Sequence, residues 1–330
     1  MVKIKKVFLT VIIITMTSNI FVLFHAYRFT HPIEKSIYDY KDYNSPLQKI
    51  RMVSFGIPPI KSKMSITPSD FNLSYFNVSF ITIDNIKLHS WFIPANKSKG
   101  TILLVHGYGG NKAALMKYAI SLNKNNYNTL LLDLRASGLS EGSSTSLGYY
   151  EKHDIKASID FLKNNNIENF GALGFSVGGV ALLSYLKENK NDIKSAIIVG
   201  VYDNIYDAVA RRIKIVYGLP KFPFATILTY YGGIILNFNA FELVPEKFIS
   251  DVNTPLLIID EQNYNLTISS EIGTLMLVDK NNKLHSAEDA LKLYKNANFP
   301  KEIFIVVNET TSKEYEEKIV SFFDKYLMVS

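Results

Sequence analysis

Apolar residues along this chain fall into three regimes. The first is a continuous run from Val7 to Phe24, of membrane-span length and diluted only by Thr10, Thr15, Thr17, Ser18 and Asn19. The second, residues 29 to 70, shows no clear period. It carries Pro32, Pro46, Pro58, Pro59 and Pro68 and reads as a connector packed along the body, with one short helix near Pro32 to Tyr40. The third opens with Tyr75 to Ile83 and Lys87 to Ile93, two strand-like runs around Asp84-Asn85, which is a hairpin signal. Gly100 to Val105 is then almost wholly apolar, as expected of a strand buried on both faces. After it, helical and extended rhythms alternate: a helix over Lys112 to Lys124, a strand over Thr129 to Leu132, a helix over Tyr149 to Lys163, a strand over Phe170 to Leu173, a helix from Val177, and a strand over Ser195 to Val199. From about residue 203 to 246 the alternation stops. Phe222 to Phe241 is long, aromatic and nearly uncharged, but Pro223, Gly232, Gly233, Asn237 and Asn239 interrupt it, so it reads as a cap and not a second membrane span. Thr254 to Ile259 restarts the strands. A helix over Ser286 to Asn296, a strand over Lys301 to Val307 and a helix over Ser312 to Leu327 follow. The alternation predicts an α/β body with a mostly parallel sheet covered by helices on both faces. The expected organisation is an anchor over 1–28, a connector over 29–74, and one α/β domain over 75–330 that includes the cap.

Composition narrows the function classes. The chain is 47% hydrophobic and 20% charged, an ordinary globular balance. Of the net charge of +6, Lys3, Lys5 and Lys6 supply half, and the remainder is scattered, so there is no nucleic-acid footprint. Lysines before the first apolar run and none within it place the amino-terminus in the cytoplasm. Phe24-His25-Ala26-Tyr27-Arg28 offers no small-x-small cleavage site. A single-pass signal anchor with the body outside the cytoplasm is therefore expected, and a secreted form after signal cleavage is the alternative. Without cysteine, a disulfide, a thiolate nucleophile and a Cys-ligated metal are all excluded. No H-E-x-x-H, phosphate loop or dinucleotide fingerprint occurs, so neither a metal nor a cofactor is expected.

Chemistry gathers at Gly174-Phe175-Ser176-Val177-Gly178, a G-x-S-x-G pattern with a strand rhythm before it and a helical one after. Such a turn lifts the serine hydroxyl off the sheet, and its glycines stand where a Cβ would strike the neighbouring strand and helix. Alone, so short a pattern also fits a glycine-rich turn that happens to hold a serine. Three further stretches occur in a fixed order around it: His106-Gly107-Tyr108-Gly109-Gly110 after the third strand, Asp133-Leu-Arg135-Ala-Ser137-Gly138-Leu-Ser140-Glu-Gly142, and Pro255-Leu-Leu-Ile. With all four, residues 75 to 327 resemble the α/β-hydrolase superfamily, and most of all its membrane-anchored or secreted bacterial esterase- or peptidase-like members.

The resemblance implies a serine hydrolase of carboxylic esters or amides, with a small acyl substrate. It makes Ser176 the nucleophile and the backbone N–H groups of Val177 and Tyr108 the oxyanion donors. It gives His106 the task of bracing its loop, and Asp133 and Arg135 that of fixing loops near the elbow. His153, inside an amphipathic helix, reads as a packing or surface residue. The chain then departs from the pattern twice. The acid position falls on Asn282 counting back from the helix at Ala287, or on Asn263 or Tyr264 counting forward from Ile259, with Asp260 and Asp279 close by. Residues 261 to 281 look like an insertion, or hold an extra strand over Thr274 to Val278. After the last strand, where the family histidine belongs, stands Asn308-Glu309-Thr310-Thr311, and the only histidine beyond Ser176 is His285. Three readings stay open. His285 serves as an unusual base aided by Asp279 or Asp260; Glu309 assists Ser176; or hydrolysis has been lost and the fold serves as a membrane-tethered module for an apolar ligand or partner.

Overall fold

Unbroken apolar strands demand cover on both sides, and they lie at the centre of a sheet of eight strands among the described residues. In a computed structural model that describes residues 2–35, 45–61, 64–190, 192–261, 287–306 and 311–328, the strands are β1 (Phe76–Ile81), β2 (Lys87–Ile93), β3 (Gly100–Val105), β4 (Tyr127–Leu132), β5 (Phe170–Phe175), β6 (Ala196–Val199), β7 (Leu256–Glu261) and β8 (Lys301–Val306). They form one sheet in the order β1-β2-β4-β3-β5-β6-β7-β8. The first hairpin is antiparallel, and β2 is antiparallel to β4. Every other pairing is parallel. Edge strand β1 is largely exposed, whereas every residue of central β3 is buried. The β1–β2 turn is at Asp84-Asn85, with Asn85 in the left-handed region at φ 61°.

The helices are α1 (Val2–Thr30), α2 (Pro46–Phe55), α3 (Met116–Lys124), α4 (Glu151–Asn164), α5 (Val177–Leu186), α6 (Ile205–Tyr217), α7 (Phe224–Leu236), α8 (Pro245–Phe248), α9 (Ala287–Asn296) and α10 (Ser312–Leu327). Successive strand residues point to opposite faces, and this divides the core. Leu103 and Val105 of β3 pack with α4 and α5. Ile102 and Leu104 pack with α3 and α10.

Three segments differ from the sequence reading. Of the helix expected near Pro32 to Tyr40, residues 31–35 are non-helical and 36–40 lie outside the described residues. The connector's helix is α2, where Ser45 Oγ accepts from the Gln48 N–H at 3.3 Å and Pro46 occupies the first turn. The helix expected from Lys112 begins as a 3-10 turn over Lys112–Leu115, because the Asn111 side chain caps it at Ala113 and α3 starts only at Met116. The proposed boundary at residue 28 cuts through α1, which continues to Thr30 and packs along α7. The extra strand considered over Thr274 to Val278 falls outside the described residues.

Helix α1 contains a stretch, Lys5–Thr30, long and apolar enough to cross a membrane. The cap region folds as α6, α7 and α8. At 13 residues α7 rises only about 20 Å, short of the roughly 30 Å of a bilayer core.

Candidate active site

Ser176 sits between the last residue of β5 and the first of α5, at φ 47° and ψ −114°. A non-glycine residue rarely adopts such angles, and holding them costs about 1–3 kcal/mol. The surroundings impose them. The Ser176 N–H donates to the Val199 carbonyl at 2.8 Å, and its carbonyl accepts from the Val180 N–H at 3.0 Å. The glycines make the bend possible. A Cβ on Gly174 would come within 2.7 Å of the Gly178 backbone, and one on Gly178 within 2.6 Å of the His106 carbonyl.

The loop after β3 lies directly against this bend. A Cβ on Gly107 would be 3.3 Å from that of Ser176. His106 is buried, accepts from the Leu134 N–H through Nε2 at 3.1 Å, and lies 2.7 Å from the Gly107 carbonyl through Nδ1. That pattern places the proton on Nδ1 of a neutral ring, and burial lowers the pKa further from protonation at neutral pH. Both nitrogens are therefore occupied in bracing the loop. Tyr108 is fixed by its side chain. Its hydroxyl donates to the Phe29 carbonyl at 2.6 Å, its ring stacks on Phe29 at 5.4 Å, and the Arg212 guanidinium lies 5.0 Å from the centre of each ring. Among the described residues, neither the Tyr108 nor the Val177 backbone N–H has an acceptor, and no side chain hydrogen-bonds the Ser176 hydroxyl. N–H groups without an acceptor among the described residues are the kind of donor that an oxyanion needs.

A second layer holds the loops after β4. Asp133 is fully buried and accepts from the Lys112 N–H through Oδ1 at 2.7 Å and from the Leu139 N–H through Oδ2 at 2.9 Å, and Lys112 Nζ pairs with the same Oδ2. Arg135 bonds Asp154 through its backbone N–H (2.8 Å), Nε (2.9 Å) and Nη2 (2.7 Å), and reaches Asp84 at 2.7 Å. His153, half-buried on α4, lies 3.6 Å from Asp84. Glu151, absent from the sequence reading, is buried and accepts from Thr145, Ser146 and Gly148. That loop rests on α5, since a Cβ on Gly148 would be 2.5 Å from the Val180 side chain. Partial burial pushes the Asp84 carboxyl up, but the Arg135 hydrogen bonds outweigh it and hold the group at about 2, below its usual 3.8. A depressed carboxyl stabilises the fold above its unfolded value, and that contribution fades as pH falls through about 2. Because Asp84 is about a third exposed, solvent screening leaves roughly 1 kcal/mol. Asp84→Asn is expected to flatten the acid limb of the stability profile between pH 4 and pH 2, measured by urea unfolding.

The remaining sequence candidates divide by place. His285, Asp279, Asn282 and Glu309 lie outside the described residues. Asp260 is buried near the end of β7, beside Ile305 of β8. A charge cluster that the sequence reading missed joins the cap to α9. Asp203, just after β6, lies 2.9 Å from Lys292, and Arg211 pairs with Asp289 at 2.5 Å. Burial pushes Asp289 up to about 6. Its only sequence signal is an aspartate in the first turn of an amphipathic helix. Among the described residues, no group of three or more His, Asp or Glu could hold a metal.

A family model described as the α/β-hydrolase fold matches residues 100–227, from β3 through the elbow into the cap. The serine bend lies within that match, and β1 and β2 before it and β7 and β8 after it join the same sheet. The chain has the α/β-hydrolase fold. Among curated relatives, the uncharacterized protein YqkD of Bacillus subtilis is 27% identical over 179 residues, 53% of this chain and 59% of the relative. The α/β hydrolase domain-containing protein WAV2 of Arabidopsis thaliana is 27% identical over 157 residues, 46% of this chain and 50% of the relative. The chain thus matches about half the length of these relatives. Among solved structures, the Pyrococcus furiosus esterase Pf2001 superposes with a TM-score of 0.63 at 24% identity, covering 82% of this chain and 99% of that one, a likeness of fold.

Proposed function

We propose that this α/β-hydrolase-fold chain is a membrane-tethered serine hydrolase of carboxylic esters or amides. The observation that carries the reading is the backbone of Ser176, kept at a costly positive φ, with the Val177 and Tyr108 N–H groups lacking an acceptor among the described residues. In the proposed reaction Ser176 Oγ attacks the acyl carbon and its proton passes to a base. The oxyanion rests on the N–H groups of Val177 and Tyr108, each worth roughly 3 kcal/mol of barrier. The proton then goes to the leaving alcohol or amine, and water releases the acid from the acyl-serine. His285, with Asp279 or Asp260 orienting it, is the proposed base, being the only histidine after the elbow.

A fluorophosphonate probe is expected to label the full chain at Ser176, with labelling lost in Ser176→Ala and slowed in His285→Ala. The absence of histidine from Asn308-Glu309-Thr310-Thr311 favours the second reading, a catalytically silent binding module. A folded chain that takes up no probe and cleaves no short acyl ester selects it.

The tether is proposed to be an uncleaved anchor with its amino-terminus in the cytoplasm. Ala26 and Thr30 are buried, and the Thr145 N–H donates to the Thr30 carbonyl at 2.8 Å. Cleavage near residue 28 would remove the Ala26 side of this seat. The mature protein is expected to retain its first 28 residues by intact mass. A mass lacking them selects the secreted form.

A further inference from the structure

One polar residue of α1 finds its partner in the cap. Asn19 lies inside the apolar stretch, yet both ends of its amide are held. Its Nδ2 donates to the Thr15 carbonyl at 2.8 Å, and its Oδ1 accepts from the Tyr231 hydroxyl of α7 at 2.5 Å. In water neither bond is required. In hydrocarbon both are, because an unpaired amide there has no solvent to satisfy it.

Counting along the helix gives this pair a depth. Lys5 and Lys6 mark the inner end of the apolar run, and about 20 residues rising about 1.5 Å each carry it from Val7 to near Ala26. Asn19 and the Tyr231 hydroxyl then sit roughly 10 Å below the outer edge of the hydrocarbon. The rest of α7 suits that level. From Phe222 to Phe241 no side chain is charged, and Lys221, just before, is paired with Asp207 of α6. The helix turns Ala225, Thr229 and Gly233 inward and leaves Tyr230 and Ile234 58% and 54% exposed. A helix facing water carries polar residues on its outer side, whereas this one carries tyrosine and isoleucine. Helix α2 flanks the outer end of α1, where Arg28 Nε donates to the Phe55 carbonyl at 3.0 Å. It buries Gln48 and Met52 and exposes Leu47, Ile50 and Phe55 beside Lys49 and Arg51. Exposed apolar residues flanked by cations at headgroup level are what an interfacial helix needs.

We propose that this face is covered by the bilayer itself: α7 lies in the outer leaflet beside α1, and α2 rests among the headgroups, where Lys49 and Arg51 meet lipid phosphates. The body then docks through three helices instead of hanging from one. This docking rests on the uncleaved-anchor reading and is independent of the chemistry of Ser176.

The chain lacks cysteine, so single cysteines report without interference. Full-length Tyr230→Cys, Ile234→Cys, Ile50→Cys, Ile13→Cys and Lys313→Cys, each carrying a nitrobenzoxadiazole label, are reconstituted in vesicles of phosphatidylcholine and phosphatidylglycerol. Lys313 of α10 is exposed and serves as the water reference, and Ile13 of α1 reports the anchor alone. Lipid brominated at mid-chain is expected to quench the labels at positions 230 and 234 roughly fivefold more than the one at 313. A spin label on the headgroup is expected to quench position 50 more than 313. If position 13 is quenched while 230 and 234 are not, the anchor stands and the docked cap is overturned. Labels at 230 and 234 that shift to the blue without quenching mean that protein, such as a second copy of this chain, covers the face, which overturns it too. An unquenched position 13 removes the anchor and the docking with it, and an unquenched position 50 overturns the placement of α2. Should a labelled variant fail to fold by thermal unfolding, phosphatidylcholine bearing a diazirine on its acyl chain decides on the unaltered chain. Adducts on residues 227–235 support the docked cap, and adducts confined to α1 overturn it.

Discussion

Ser176→Gly is expected to lose ester hydrolysis and yet unfold at a higher temperature. Removing the nucleophile of a serine hydrolase lowers turnover on the order of a million-fold, with about a thousand-fold over water surviving from the oxyanion donors and binding. Stability moves the other way. At φ 47° and ψ −114° a Cβ is strained, and glycine is not. Relief of about 1–3 kcal/mol is partly offset by glycine's greater freedom in the unfolded chain, leaving a gain near 1 kcal/mol, or about 2 °C. Calorimetry beside a p-nitrophenyl acetate assay reads both. Ser176→Ala, which keeps the strain, separates the effects: it should be as inactive as the glycine variant without its added stability. If both variants hydrolysed the ester like wild type, Ser176 would not be the nucleophile.

Lys112→Met is expected to remove about 3–5 kcal/mol of unfolding free energy, the typical consequence of stranding one charge of a buried pair. Lys112 and Asp133 are 1% and 0% exposed. Burial lowers the Lys112 pKa and Asp133 opposes that shift. Its ammonium also lies 5.0 Å from the Trp91 ring centre. Without it, Asp133 keeps two backbone donors but no counter-charge. The double variant Lys112→Met, Asp133→Asn should recover a good part of the loss, since it strands no ion. Urea unfolding measures all three, and a single variant as stable as wild type would remove the pair from the account of the fold.

These two residues also mark what sequence could and could not tell. The strands were legible because burial on both faces leaves nearly unbroken apolar runs such as Gly100 to Val105 and Leu256 to Ile259. The elbow was legible because close backbone approach admits only glycine at Gly174 and Gly178. Lys112 was not: a lysine at a helix start looks like a surface residue until its partner, 21 positions away, is known. Arg211, Asp203, Asp289 and Lys292 were hidden for the same reason, as their pairing exists only once α6 and α9 are packed. Helix α2 of the connector escaped the sequence reading because its cue, Ser45 before Pro46, lies in an aperiodic stretch. In the proposed hydrolase the proton acceptor belongs to the same class: Asn308 and Glu309 stand where the resemblance places it, and a three-dimensional neighbour of Ser176 would have to replace it.

The end of α1 sets how far this body can stand from a bilayer. Twenty-nine residues rise about 43 Å, whereas a hydrocarbon slab needs roughly 30 Å. The surplus turns are housed in protein, with Phe29 joined to Tyr108 and Thr30 to residue 145. In the tethered arrangement proposed above, no leash separates lipid from sheet, so the serine samples only a thin shell of molecules at the interface, at a height set by the helix itself.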